Sequence, residues 1–165
     1  MSELWDLVTL DKQRTGYVIN REDAEKINTG LYHLTVRVWV KNKEGNILLT
    51  QRHENREDGL LWENTGGSVI IHEASTEGAV RELYEETGIL VDKNELIYLG
   101  DRVGTNYIAE SYMVKLKSSC AIILQQDEVV DAVFLDINDV YKYKDIMTVS
   151  AWDDFMLYKP LLENL

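Results

Sequence analysis

Two runs of apolar and β-branched residues flank a short polar segment early in the chain. The sequence YHLTVRVWVKNKEGNILLTQR covers residues 32–52, and its polar segment, residues 42–46, contains Asn, Lys, Glu and Gly. Apolar runs joined by such a turn signal are typical of a β-hairpin. We therefore predict two strands on either side of this turn.

The apolar spacing changes to the helical period over residues 74–87. Val80, Leu83 and Thr87 recur along one side of the predicted helix, which we assign to the core. Gly88 suits the left-handed position at which many helices end. The pattern therefore predicts a helix that stops at this glycine.

After the helix, the pattern returns to short strand-like runs and then becomes helical again near the end of the chain. The three strand-like runs cover residues 95–103, 107–116 and 131–136. The order of strands, helix, strands and helix predicts an α+β or three-layer domain around a mixed sheet.

The C-terminal helix is predicted to begin at Ser150. Ser150 with Asp153 three residues later resembles a capping box, and Pro160 is expected to kink or end the helix. One face is expected to collect Trp152, Phe155 and Met156.

The composition is that of a folded globular chain. Its 165 residues predict a single domain, residues 1–165, and 45% hydrophobic with 28% charged residues is ordinary for such a protein. The N-terminus lacks the basic and apolar pattern of a secretory signal, and no apolar run is long enough to span a membrane. The single cysteine, Cys120, excludes an internal disulfide and is expected to be buried or at an edge. We expect a cytoplasmic protein.

The formal net charge of −12 narrows the range of partners. Nucleic acids and anionic membranes are bound by clustered Lys and Arg, so neither is expected as a partner. A phosphorylated small molecule is compatible with this charge, provided that metal ions screen the acidic residues.

Acidic residues are concentrated in the segment GGSVIIHEASTEGAVRELYEETGI, residues 66–89. On a helix, Glu82, Glu85 and Glu86 lie within an arc of about 100°, because positions three and four apart are neighbours. Their repulsion costs roughly a few tenths of a kcal/mol per pair, so energy alone allows both a solvent-exposed face and a metal-binding face. Glu77 is expected to face solvent at the helix start.

The spacing within this segment decides between these interpretations. From Gly67 to Ile89 it has the form G-x5-E-x7-R-E-U-x-E-E-x-G-U, where U is apolar. This form resembles the Nudix box at every fixed position, and average residue usage gives a chance match on the order of 10⁻⁹ at a given start. With a weaker likeness over about residues 1–145, the chain is identified as a member of the Nudix hydrolase family.

This resemblance implies an α/β/α sandwich with a mixed central sheet, and hydrolysis of a small-molecule diphosphate linked to another group, X. It also implies Mg²⁺ or Mn²⁺ as cofactor, because hard cations share oxygen ligands with phosphates. By the family pattern the metal ligands are Glu82, Glu85, Glu86 and the Gly66 carbonyl. The metal would neutralise the diphosphate and lower the pKa of a water that attacks phosphorus.

The resemblance implies further catalytic and binding residues. Glu73 and Arg81 would support the box glutamates within the catalytic set. The general base is either Glu85 or Glu128, and the family pattern leaves both open. Arg52 ends a strand that leads toward the site, so it either binds a substrate phosphate or forms a surface ion pair.

Three box-region residues depart from the usual pattern: His72, Ala74 and Gly78. Ala74 replaces a common serine cap, which costs about 1 kcal/mol unless Ser75 takes over one position later. Gly78 in a helix interior costs about another 1 kcal/mol. Both are expected to weaken the helix start without touching a metal ligand.

The N-terminal residues resemble a subgroup that includes isopentenyl diphosphate isomerases. Isomerisation is a weak alternative, because Gly66, Gly67 and Ser68 stand where those enzymes carry a catalytic cysteine. A Nudix-like ligand-binding or regulatory domain is a second alternative, although such domains usually lose box glutamates and none is lost here. A homodimer is suggested by family analogy alone.

Several other residues near the site are interpreted as structural. Trp62 is expected to pack in the core instead of stacking on substrate, and Tyr107 and Tyr112 are expected to pack on the sheet. His33 matches the subgroup pattern and is expected to be a structural histidine.

Overall fold

The computed structural model describes residues 3–165, which form strands, two long helices and short 3₁₀ turns. The helices are Ser75–Thr87 (α1) and Val149–Asn164 (α2), and the 3₁₀ turns cover Arg21–Lys26, Lys93–Glu95 and Asp139–Ile146. The strands are Leu4–Val8 (β1), Arg14–Asn20 (β2), His33–Lys41 (β3), Ile47–Arg52 (β4), Trp62–Glu63 (β5), Thr65–Ser68 (β6), Ile97–Val103 (β7), Tyr107–Lys115 (β8) and Val129–Leu135 (β9).

A seven-stranded mixed sheet has β3 at its centre, with the path β5-β4-β3-β8-β7. β3 runs parallel to β8, from His33 opposite Tyr107 to Lys41 opposite Lys115. On its other side, β3 pairs with β4 only at its last residue, where Lys41 lies opposite Ile47. Earlier residues on that side of β3 pair with β6. The predicted hairpin is confirmed at its turn, but its strands diverge so that β5 and β6 fill the space between them.

The two helices cover opposite faces of this sheet. Val38 packs in the cluster that includes Leu83 of α1, whereas the next residue, Trp39, packs with Phe155 of α2. Adjacent side chains of a strand point to opposite faces, which separates the two clusters. The predicted α/β/α sandwich with a mixed sheet is therefore confirmed.

The box helix α1 ends as predicted but buries a slightly different face. Gly88 is left-handed with φ of 70°, and its N–H donates to the Tyr84 carbonyl at 2.8 Å. Leu83 and Thr87 are buried, in agreement with the prediction. Val80 is only partly buried, so its assignment to the core was wrong; the helical period brings Ala79 to that face instead.

The start of α1 has no side-chain oxygen cap. Ala74 occupies the N-cap position, and Ser75 is already the first helical residue, so Ser75 does not replace the missing cap. Glu77 is exposed at the helix start as predicted, and it accepts a hydrogen bond from the Ala74 N–H at 3.1 Å. This contact satisfies one backbone donor just before the helix.

The C-terminal helix corrects two predictions about its ends. Its N-cap is Thr148, whose Oγ1 accepts from the Ala151 N–H at 3.2 Å, so the capping box of Ser150 with Asp153 was wrong. The helix also continues through Pro160 to Asn164. The missing proline donor removes one helical bond, while tertiary packing of the last turns maintains the helix.

The buried face of α2 also differs from the prediction. Phe155 is 0% exposed, but Met156 is 46% exposed and lies on the outer side. Residues at helical spacing from Ala151, including Tyr158 and Leu162, complete the buried face.

Outside the helices, the three later strands lie within two residues of their predicted bounds. The N-terminal residues form a separate two-stranded ribbon, β1–β2, which the hydrophobic pattern did not predict. Cys120 is exposed, so the expectation of a buried or edge position was wrong. No helix within residues 3–165 has the length and apolar character needed to span a membrane.

Candidate active site

The box helix α1, strand β6 and the β4–β9 edge surround a cavity of about 240 Å³. The cavity brings together all of the predicted site residues except Glu73, which supports Arg81 from behind. Its carboxylates are Glu3, Glu63, Glu82, Glu85, Glu86 and Glu128, and its guanidinium groups are Arg21, Arg37, Arg52, Arg56 and Arg81.

The glycines of β6 allow the carboxylates of α1 to lie directly against the sheet. A Cβ atom on Gly67 would lie 2.2 Å from Cδ of Glu82. A Cβ atom on Gly66 would lie 2.3 Å from the Val36 carbonyl oxygen. Such distances are sterically forbidden, so any side chain at either position would displace β3 or the helix. The local sequence therefore determines how closely α1 approaches the backbone of β6.

Arg81 is the centre of an ion-pair network on α1. Its Nε and Nη2 donate to Oε1 and Oε2 of Glu73 at 2.8 and 2.9 Å, and its Nη1 donates to Glu82 at 2.8 Å and to Glu85 at 3.1 Å. Nη2 also donates to the Ser68 carbonyl at 2.9 Å. The hydrogen bonds that Arg81 donates to Glu73, followed by the one it donates to Glu82, raise the pKa of Arg81, so the guanidinium stays charged. This network fixes Glu82 and Glu85 relative to β6.

Glu86 is the most deeply buried carboxylate of the cavity. It is 6% exposed, and within residues 3–165 it forms no ion pair with a basic side chain. Burial, followed by the nearby charges of Glu63, Glu82 and Glu128, raises the pKa of Glu86 well above its usual value. Burial also raises the pKa of Glu82. The anionic form of Glu86 is therefore destabilised unless a cation lies beside it, whereas Glu82 already has Arg81 as a partner.

The donor set fits a divalent hard cation that is shared with a phosphorylated ligand. Within the described residues, no group of three or more His, Cys, Asp or Glu side chains is placed to hold a metal ion by itself. Mg²⁺ is usually bound by one or two carboxylates together with water and substrate phosphates, and does not require such a cage. Glu86 supplies a buried oxygen donor, Glu82 a nearly enclosed one, and Glu85 adds a third carboxylate on the same face of the helix.

The opposite wall of the cavity pairs arginines with acids. Arg52 donates to Glu63 through Nη1 and to the Glu57 carbonyl at 2.7 Å through Nε. Nη1 of Arg37 lies 3.4 Å from Oε2, the second carboxylate oxygen of Glu63. Glu63 is 8% exposed. The ion pair of Arg52 is therefore inside the cavity wall and not on the outer surface, and its contact with a phosphate stays a prediction.

Glu128 lies in the same cavity, with one carboxylate oxygen 3.4 Å from Nη1 of Arg56. The backbone positions it firmly, because the His53 N–H donates to the Glu128 carbonyl at 2.8 Å. Its charge contributes to the raised pKa of both Glu82 and Glu86. Glu128 is therefore part of the cavity, although no contact here distinguishes it from Glu85 as the general base.

Sequence reasoning missed several cavity residues. A weak signal existed for Arg37, a charged residue within the apolar strand VRVWV, and for Glu63, which follows Trp62. Glu3 and Arg21 carried no local signal, because only the folding of the N-terminal ribbon brings them to the cavity.

The residues interpreted as structural are mostly packed. Trp62 is 8% exposed and meets Tyr143 edge-on at 5.3 Å, and Tyr112 is buried. His33 is 7% exposed and stacks on Trp5, with 4.0 Å between ring centres. Tyr107 lines a second cavity of about 400 Å³, which shares Thr35, Arg37, Arg52 and Glu63 with the first.

Comparison with known proteins agrees with this geometry. The NUDIX domain family matches residues 31–152. A Nudix hydrolase of Listeria monocytogenes, itself uncharacterised, is 31% identical over 144 residues, which cover 81% of this chain and 79% of the relative. The fold and the carboxylate site thus define a Nudix-type hydrolase. The chain belongs to the Nudix family and is an enzyme of that class.

Solved structures show the same fold. The Deinococcus radiodurans protein DR0079 superposes with a TM-score of 0.76 at 16% identity, and the match covers 93% of this chain and 98% of that chain. The NUDIX domain of Shewanella oneidensis NrtR, solved with ADP ribose, gives 0.65 at 20% identity, with 79% and 88% covered. At these identities the likeness establishes the fold alone.

Proposed function

We propose that this protein is a metal-dependent hydrolase of the diphosphate bond in a small organic diphosphate, nucleoside-linked or joined to another group. The observation that carries the proposal is the buried carboxylate Glu86, beside the nearly enclosed Glu82, in a cavity that guanidinium groups also line. Glu86 has no ion-pair partner among the described residues, and a diphosphate in the cavity would add negative charge near it. A divalent cation between them would offset both charges.

The residues proposed to hold Mg²⁺ or Mn²⁺ are Glu82, Glu85, Glu86 and the carbonyl of Gly66. When bound, the metal supplies charge neutralisation of the diphosphate and a lower pKa for an attacking water. Arg81 acts as a positioning residue, since it holds two of these carboxylates at 2.8 and 3.1 Å.

Glu73 is proposed to position Arg81 in turn. It accepts from two nitrogens of that guanidinium, and its Oε2 also accepts from the Ile70 N–H at 3.1 Å. Arg52 is proposed to bind a substrate phosphate across the cavity, where the guanidinium is already oriented by Glu63. Planar, bidentate donors of this kind match phosphate oxygens.

The general base that takes a proton from the water is proposed to be Glu85 or Glu128. Glu85 is the more exposed of the two, with 47% of its side chain accessible against 31% for Glu128. Each is paired with one arginine, Arg81 or Arg56, which holds the carboxylate at the cavity.

The substrate panel includes nucleoside di- and triphosphates, sugar nucleotides, dinucleotides and isoprenoid diphosphates. ADP-ribose is included because the structurally similar Shewanella domain was solved with ADP ribose. Phosphate or monophosphate release is measured with Mg²⁺ and with Mn²⁺, for wild type and for Glu82→Gln, Glu85→Gln and Glu128→Gln. Glu77→Gln, on the exposed start of the same helix, is the matched control.

The proposal expects turnover of at least one diphosphate that requires metal and falls sharply in Glu82→Gln. Of Glu85→Gln and Glu128→Gln, the variant that removes the general base is expected to lower kcat 10²- to 10⁴-fold, with a smaller change in KM. Equal activity of wild type and Glu82→Gln would exclude this site as the catalytic centre.

A ligand-binding domain without turnover is the alternative, and calorimetry that shows binding of a panel member without product release would support it. Interconversion of isopentenyl and dimethylallyl diphosphate would support the isomerase alternative instead. The single domain over residues 1–165, the cytoplasmic location, the homodimer and the N-terminal subgroup all stay predictions.

A further inference from the structure

The N-terminal ribbon closes one end of the cavity. The Ile71 N–H, just after β6, donates to the Leu4 carbonyl of β1 at 2.8 Å, and the Arg21 N–H donates to the Glu3 carbonyl at 2.9 Å. These backbone bonds fix the start of β1 and the end of β2 beside the box region. They bring Glu3 and Arg21 into the cavity lining.

The guanidinium of Arg21 is held in place from one side. Its Nη1 lies 3.0 Å from Oε2 of Glu3, while Oε1 of Glu3 accepts from Nε1 of Trp5 at 2.7 Å. Trp5 is 4% exposed and is itself stacked on His33. Both oxygens of Glu3 are therefore engaged by the protein, and the acid serves to orient Arg21.

The remaining donors of Arg21 are available to a ligand. Among the described residues, its guanidinium forms this single hydrogen bond, and 52% of the side chain is exposed. Arg81, by contrast, uses all three of its nitrogens within the protein. Arg21 and Arg56 thus each form a single side-chain hydrogen bond among the described residues, and Arg21 is the more exposed of the two, with 52% of its side chain accessible against 34%.

Arg21 and Arg52 reach the cavity from different elements, the N-terminal ribbon and β4. The ribbon contacts the chain after Ser68, at one end of β6, whereas β4 and β5 adjoin the other end, where Thr50 lies opposite Glu63. Of the α1 carboxylates, Glu82 lies against Gly67 of β6. A diphosphate held by these carboxylates and Arg52 leaves Arg21 for a group further along the substrate.

We propose that Arg21 is a specificity-determining residue that binds an additional oxyanion of the substrate, next to the diphosphate. A guanidinium with unused donors selects phosphate oxygens over neutral groups. The N-terminal ribbon would then favour substrates with a third phosphate over diphosphates with a neutral neighbour. This inference rests on the proposed function, because it requires the diphosphate to lie beside Glu82.

The test compares two hydrolysis-resistant probes that differ by one phosphorus group. Methylenediphosphonate and the bis-methylene analogue of triphosphate are titrated calorimetrically with Mg²⁺ at low salt, where charge contacts are least screened. Wild type is compared with Arg21→Gln and Arg21→Lys. Lys26→Gln is the matched control, since Lys26 lies in the same 3₁₀ turn, is exposed, and pairs with Asp23 outside the cavity. Glu82→Gln is included to test diphosphate binding.

Arg21→Gln is expected to lower the preference for the longer probe about tenfold while leaving the affinity for methylenediphosphonate unchanged. Arg21→Lys is expected to retain part of the preference, and Lys26→Gln all of it. An unchanged preference in Arg21→Gln, with both probes weakened in Glu82→Gln, would overturn this inference alone. Unchanged affinity for methylenediphosphonate in Glu82→Gln would instead contradict the proposed function.

Discussion

The two long helices bury very different surfaces against the same sheet. On the side of α1, the buried residues include Glu86, and Glu82 is nearly enclosed, with 13% of its side chain accessible. On the side of α2, the contact is formed mainly by large apolar rings, with Phe155 0% exposed between Trp39 and Trp152. Helix α1 therefore brings together carboxylates that repel one another, whereas α2 covers the sheet with apolar rings that exclude water.

This difference shows which kind of burial serves stability and which serves chemistry. Buried apolar area stabilises the fold directly, at about 25 cal/mol per Å². A buried carboxylate without a cationic partner costs stability and is retained for binding. The α2 side also contains a buried acid, Asp154, but it is paired with Arg102 at 2.9 Å and so completes a structural contact. Glu86 has no such partner within residues 3–165, and this difference is why we propose the metal site on the α1 side.

The largest expected effect is on the α2 side. Phe155→Ala removes a fully buried ring and should lower the free energy of unfolding by about 3–5 kcal/mol, because the rings of Trp39, Tyr141 and Trp152 cannot fill the space. Chemical denaturation measures the change. Met156→Ala, on the outer face of the same helix, should change stability by less than about 0.5 kcal/mol. Similar losses in both variants would contradict the assigned face.

His33 tests whether a buried titratable group can serve packing alone. Burial lowers the pKa of His33 to about 4, whereas the unfolded chain has a pKa near 6.5. The unfolded state therefore binds the proton first, so stability is fully present above about pH 6.5 and is lost as the pH falls toward 4. The loss reaches roughly 3 kcal/mol.

The measurement is the free energy of unfolding from pH 7.5 to 4 for wild type and His33→Phe. The phenyl ring retains an aromatic partner for Trp5 and cannot titrate. The difference between the two curves isolates the histidine from the many carboxylates. A flat difference curve would mean that His33 has the same pKa in the folded and unfolded states.

Glu86→Gln tests whether the buried carboxylate on the α1 side supports activity at a cost in stability. Loss of this carboxylate should lower kcat/KM at least a hundredfold, since even changes in residues that only support metal ligands typically cost 10- to 100-fold. The same variant should be more stable than wild type without metal, because a buried, repelled charge is removed. Thermal unfolding with and without Mg²⁺ provides a second readout.

Wild type should gain about 2.7 kcal/mol of stability at a metal concentration one hundred times the dissociation constant. Glu86→Gln should gain much less at the same concentration, and Glu77→Gln should behave as wild type. A metal-free Glu86→Gln that is less stable than wild type would show that the charge has an unrecognised partner.

The sequence predicted α1 much better than α2, for a physical reason. Glutamates that share one face of α1 must be three and four positions apart, so this pattern can be predicted from neighbouring residues alone. The buried face of α2 depends on which rings fit beneath it, so the exposed Met156 and the cap at Thr148 could not be derived from its own residues. The same limit applies to Arg21, which reaches the cavity only through the fold of the ribbon.

Gly78 is the residue at which packing and chemistry conflict within α1. Alanine at this position should stabilise the helix by up to about 1 kcal/mol. Its Cβ atom, however, would lie 2.9 Å from Oε2 of Glu73, which receives hydrogen bonds from Arg81 and Ile70. We therefore expect Gly78→Ala to gain little stability and to lose activity severalfold, as Glu73 shifts and Arg81 loses its support.

A double-mutant cycle with Glu73→Ala separates the two effects, with unfolding free energy and kcat/KM as readouts. In the Glu73→Ala background the carboxylate is absent, so Gly78→Ala should deliver its full stabilisation and no further loss of activity. A full gain in the wild-type background, with unchanged activity, would show that Glu73 moves freely. The glycine would then be an incidental weakness of the helix and not a space reserved for the residue that orients Arg81.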